Sequence, residues 1–124
     1  MQITDRLENQ TRIVTIAGNV DALTAGEVTQ YLNGQIHAET KQIILDLSQV
    51  DFMSSAGLRV ILTALKASRK LGGDLYLAGA QPSVERMLKV SGFTSILKTF
   101  PTVEAAVVEF SSQDHGGPQS VERK

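Results

Sequence analysis

The chain has 124 residues, enough for one domain, and its 42% hydrophobic and 20% charged residues lie far from the composition of a disordered chain. Twelve Lys and Arg against thirteen Asp and Glu leave a formal charge of -1, with no basic block to neutralise successive phosphates, so nucleic acid is not an expected ligand. Cysteine is absent and His37 and His115 are the two histidines, which excludes disulfides and thiolate chemistry and leaves too few soft ligands for a transition metal; no metal and no cofactor are expected.

The opening Met1-Gln2-Ile3-Thr4-Asp5-Arg6 lacks the basic start and apolar run of a signal peptide, and no stretch approaches about 18 apolar residues, so a cytoplasmic protein with no membrane partner is expected. Asn9-Gln10-Thr11 spells a glycosylation acceptor, which has meaning only in a secreted chain and is set aside. Ile13 to Ala17 is rich in β-branched residues and stops at Gly18-Asn19, predicting a strand, with Gln2 to Glu8 pairing beside it. Thr24-Ala25-Gly26-Glu27 has the form of a capping box ahead of Val28, Tyr31, Leu32 and Ile36 at near-helical spacing. Ile43-Ile44-Leu45-Asp46-Leu47 is a short, nearly continuous apolar run, as a central strand buried on both faces requires.

Leu58, Ile61, Leu62 and Leu65 form an i, i+3, i+4, i+7 stripe that runs into Gly72-Gly73, a helix with its stop. Leu75 to Ala78 reads as a strand, and Pro82 suits the first helical position ahead of Val84, Met87 and Leu88. Ser95 to Phe100 is expected as an edge strand, and Val103, Ala106, Val107 and Phe110 as a closing helix. From Ser111 to Lys124 no apolar period continues, so ordering would not be recovered by burial. The organisation expected is a single domain over residues 1–110 and a disordered tail over 111–124. The fold class is α/β, a mixed, mostly parallel sheet of four to five strands with helices packed against it.

Asp46 to Leu58 links the central strand to the clearest helix. In open α/β sheets ligands meet the loops beyond the carboxyl ends of strands, and Ser54-Ser55 stands where helix-start N–H groups lack partners. The plain alternative is a helix cap, with Gly57 permitting close backbone approach. Val50-Asp51-Phe52-Met53-Ser54-Ser55-Ala56-Gly57-Leu58-Arg59-Val60 resembles the signature of the STAS-domain anti-sigma factor antagonists. Gly18-Asn19-Val20-Asp21, Gly72-Gly73-Asp74-Leu75 with Ala78-Gly79, and Val90-Ser91-Gly92-Phe93 resemble further segments of that family in its own order.

The resemblance implies a STAS-like fold and a non-catalytic module. Such a module binds an anti-sigma factor that is a serine kinase, thereby releasing a sigma factor; it is switched off by serine phosphorylation and restored by a serine/threonine phosphatase. Counting back from Gly57-Leu58, the family's phosphoserine falls on Ser55. An Asp commonly precedes it, whereas this chain carries Ser54 there, a second hydroxyl ranked behind Ser55. Asp21, Ser54, Ser55, Ala56, Gly57 and Arg59 are the residues expected at the partner surface. Arg59 lies in the first turn of its helix, where a cation opposes the macrodipole, so contact with a partner or a phosphate is considered for it.

Other functions fit less well. A nucleophile elbow needs Gly-x-Ser-x-Gly, but Met53 precedes Ser55 by two positions and Phe52 precedes Ser54 by two. A receiver domain needs an acidic pair after its first strand, which Asp5 and Glu8 do not form, and Gly72-Gly73 with Gly79 lacks dinucleotide spacing. The remaining alternative is a STAS scaffold or regulatory subunit for a non-sigma partner such as a transporter complex.

Overall fold

The computed structural model describes residues 1–116. A sheet of five strands, β1 (Gln2–Glu8), β2 (Thr11–Ala17), β3 (Gln42–Gln49), β4 (Asp74–Ala78) and β5 (Thr99–Phe100), lies in sequential order with β3 at its centre. β1 pairs antiparallel with β2, and every other pairing is parallel. Four helices, α1 (Ala25–Gln35), α2 (Ser55–Lys70), α3 (Pro82–Val90) and α4 (Val103–Gly116), cover it.

Alternation along the strands sorts the core into two layers. Ile43, Leu45 and Leu47 of β3, with Val14, Ile16, Leu75 and Leu77, pack under Val28 and Leu32 of α1, Leu58, Ile61 and Leu65 of α2, and Val84 and Leu88 of α3. The opposite face carries Ile13, Ile44, Tyr76 and Ala78 against Ala106, Val107 and Phe110 of α4. There the Tyr76 and Phe110 rings stack with centroids 3.9 Å apart. The near-continuous apolar run of β3 follows from cover on both sides.

The structure departs from the sequence reading in three places. Phe93–Ser95 is a turn of 3-10 helix and only Thr99–Phe100 joins the sheet, so the edge strand is far shorter than Ser95 to Phe100. Gly92 at φ 84 starts that turn, a conformation that spends the preceding residues on reversing the chain. α4 continues past Phe110 to Gly116, so the expected structureless tail does not begin at Ser111. Extending an existing helix adds one main-chain bond per residue fixed, without needing an apolar face. Residues 117–124 of the expected tail lie outside the described residues. The third departure concerns the start of α1 and bears on the site.

Candidate functional site

The loops after β2 and β3 are sewn together by main-chain hydrogen bonds that prolong the parallel ladder beyond the sheet. Gly18 N–H donates to the Gln49 carbonyl at 3.0 Å, Val20 N–H to the Phe52 carbonyl at 2.9 Å, and Ser54 N–H to the Val20 carbonyl at 2.9 Å. Val20 and Met53 form the bridge between the two loops, and both side chains are buried. The segment carrying Asp21 is thus held beside the segment carrying Ser54 and Ser55. A third element closes in from α3: Gln81 Nε2 donates to the Ser48 carbonyl at 2.9 Å and Ser83 Oγ to the Asp51 carbonyl at 3.4 Å.

Gly57 makes this junction possible. A Cβ placed on it would lie 2.6 Å from Met53 Cγ and 2.9 Å from the Val20 carbonyl oxygen, closer than side-chain carbons approach. Gly57, one of the residues expected at the partner surface, is buried, and its lack of a side chain sets the spacing of the loops.

The helix-cap reading falls on the first of the two serines. Ser54 is the N-cap of α2, in extended conformation, and its Oγ accepts the Ala56 N–H at 3.2 Å, satisfying one of the free donors of the helix start. Ser55 is the first helical residue, exposed, and its hydroxyl enters no hydrogen bond among the described residues. Among the described residues no histidine, lysine or carboxylate is hydrogen-bonded to it. Ala56 is half-buried and Arg59 exposed, one turn along the same helix.

Asp21 is half-buried and occupied. Its Oδ1 accepts the N–H groups of Leu23 at 3.0 Å and Thr24 at 3.2 Å, while Thr24 Oγ1 accepts the Asp21 N–H at 3.0 Å and donates to the Asn19 carbonyl at 2.9 Å. This is the reciprocal logic of a capping box, set three residues earlier than the Thr24-to-Glu27 box that the sequence predicts; Thr24 itself makes no side-chain cap on α1. The aspartate is the stronger acceptor because its carboxylate is charged, whereas a threonine hydroxyl is neutral.

An open groove of about 360 Å³ runs past Ala56 between α1 and α2. Ala22, Ala25 and Gly26 line one wall, and Ala56, Arg59 and Thr63 the other; small residues keep it open. Two large apolar side chains on the joined loops were not singled out by sequence reasoning: Leu23 is 94% exposed and Phe52 52% exposed. The signal available was a leucine and a phenylalanine inside predicted loops flanking the serine pair. Among the described residues no group of His, Asp or Glu could hold a metal ion, and no helix is long and apolar enough to cross a membrane.

A five-stranded mixed sheet whose prolonged central loops present a capped serine pair defines the class. The chain belongs to the STAS domain family, whose model matches residues 2–106. It is 34% identical over 100 residues to BtrV of Bordetella bronchiseptica, a protein named as an anti-sigma factor antagonist, covering 81% of this chain and 86% of that one. The anti-sigma F factor antagonist of Paenibacillus polymyxa is 31% identical over 98 residues, covering 78% of this chain and 84% of its own. The crystal structure of an anti-sigma factor antagonist from Mycobacterium paratuberculosis superimposes with a TM-score of 0.80 at 20% identity, over 87% of this chain and 92% of that one.

Proposed function

We propose that this protein is an anti-sigma factor antagonist: unphosphorylated, it binds an anti-sigma factor that is a serine kinase and so frees a sigma factor, and a phosphate on Ser55 ends the contact until a serine/threonine phosphatase removes it. It acts by binding, not by catalysis. The observation that carries the reading is the exposed, unbonded Ser55 hydroxyl beside a Ser54 already committed to capping α2. The names of the relatives support the choice of partner.

The effect of the phosphate follows from one comparison. Within the domain, about -1.5 to -2 charge at the start of α2 meets a favourable dipole and free N–H groups worth about 0.3 to 1 kcal/mol, so the fold tolerates it. At a packed interface the same group must be desolvated, and each 1.4 kcal/mol of penalty weakens binding about tenfold. Incubation with the cognate anti-sigma kinase and ATP should add one phosphate by intact mass, localised to Ser55. Ser55→Ala should gain none yet still bind the kinase. Phosphate appearing on the Ser55→Ala protein at the parental rate would overturn the assignment.

A further inference from the structure

We propose that Arg59 is the internal receptor for a phosphate on Ser55: once Ser55 is modified, the guanidinium folds back along α2, pairs with the phosphoryl oxygens and withdraws from the α1–α2 groove. The proposal rests on the reading above that Ser55 is the modified residue. Ser55 and Arg59 are four residues apart on α2, the separation at which side chains of one helix face meet. The order is also the favourable one, with the anion N-terminal to the cation. Helical side chains lean toward the N-terminus of their helix, so the stem of Arg59 is aimed at the turn that carries Ser55.

Arg59 is also uncommitted. It is exposed and makes no ion pair or side-chain hydrogen bond among the described residues. Other arginines are engaged elsewhere: Arg12 with Asp5 at 2.9 Å and Arg69 with Asp74 at 3.0 Å. Asp21, an acidic residue on the joined loop, spends Oδ1 on two main-chain donors. A planar guanidinium matches two phosphate oxygens at once, which a carboxylate at position 55 would reproduce only in part.

Because Arg59 also lines the groove, one phosphoryl group would change two features together. It adds a dianion at Ser55 and removes the cation on which an acidic group of the partner could rest. A Ser55→Asp protein, shorter and singly charged, would therefore switch less completely than the phosphoprotein.

The test uses the full chain with phosphoserine installed at position 55 during translation, so it does not depend on any kinase; failure of the functional reading would show instead in the mass-gain experiment. The second phosphate pKa, about 6 for phosphoserine, is followed by phosphorus NMR in the parent and in Arg59→Gln. The parent should titrate about half a unit lower than Arg59→Gln, with Arg59→Lys in between, and Arg86→Gln on α3 should match the parent. The helix start acts equally on all four proteins, so the difference reports Arg59. Identical titration of the parent and Arg59→Gln phosphoproteins would overturn the proposal.

Discussion

Ser54 and Ser55 differ by one position and have opposite physical employments. Removing the Ser54 hydroxyl leaves the Ala56 N–H without its acceptor, so Ser54→Ala should lower unfolding free energy by about 1 kcal/mol, within the usual range for a lost N-cap. Ser55→Ala removes a hydroxyl that holds nothing and should melt with the parent. Urea denaturation of both variants checks this; equal losses would mean that the cap is shared. The sequence shows a serine pair ahead of a helix but not which serine is the cap, because either frame puts a favoured residue there. The frame is set by the Ser54 N–H bond to Val20, a contact across 34 positions that no local pattern announces. Asp21 was singled out by the family resemblance, and its structural duty was not read. A matched box at Thr24 concealed a better acceptor three residues earlier.

At the scale of elements, periodicity located α1 to α4 and the central strand, whereas turn geometry escaped it. Asn9 and Gln10, set aside as a chance acceptor motif, are the two-residue turn of the β1–β2 hairpin, at φ 53 and 70. Asn tolerates that region and Gln seldom enters it, so the pair carries little of the usual Asn-Gly signal. The hairpin is pinned to α1 by Tyr31, whose hydroxyl donates to Asp5 while Arg12 pairs with the same carboxylate. Loss of hydration, the hydrogen bond to Asp5 and that residue's charge push the Tyr31 phenol up to about 12 from 10.0. A raised folded pKa means that the stabilisation is fully present below the unfolded value of 10.0 and lost as pH rises through about 12. The stability difference between the parent and Tyr31→Phe should therefore be constant up to about pH 9 and shrink between 10 and 12. A difference that stays flat across that window would count against the Asp5 contact.

At the scale of the whole molecule, the sequential strand order puts the carboxyl ends of β2 and β3 side by side, and everything proposed for the surface sits on that edge. Alternation of strand and helix was enough to predict a mostly parallel sheet; it did not reveal that the loops continue the ladder. Single exposed apolar residues are ordinary, but Leu23 and Phe52 stand on two loops joined by their own main chain. Replacing both by serine should leave melting unchanged and weaken the proposed complex with an anti-sigma factor at least about tenfold, as apolar anchors near the centre of an interface do. Calorimetric titration giving the parental affinity would place the contact elsewhere.

The bonds that join the two loops use peptide groups, which every residue but proline supplies alike. Provided Gly57 keeps its gap, the positions of the residues on the rim can be rewritten without altering the distances between them. Two paralogues in one cell could then diverge in whom they recognise by exchanging a handful of exposed side chains, while sharing one unaltered scaffold. Transplanting residues 23, 52 and 59 from one to the other is the corresponding experiment in redirecting a signal.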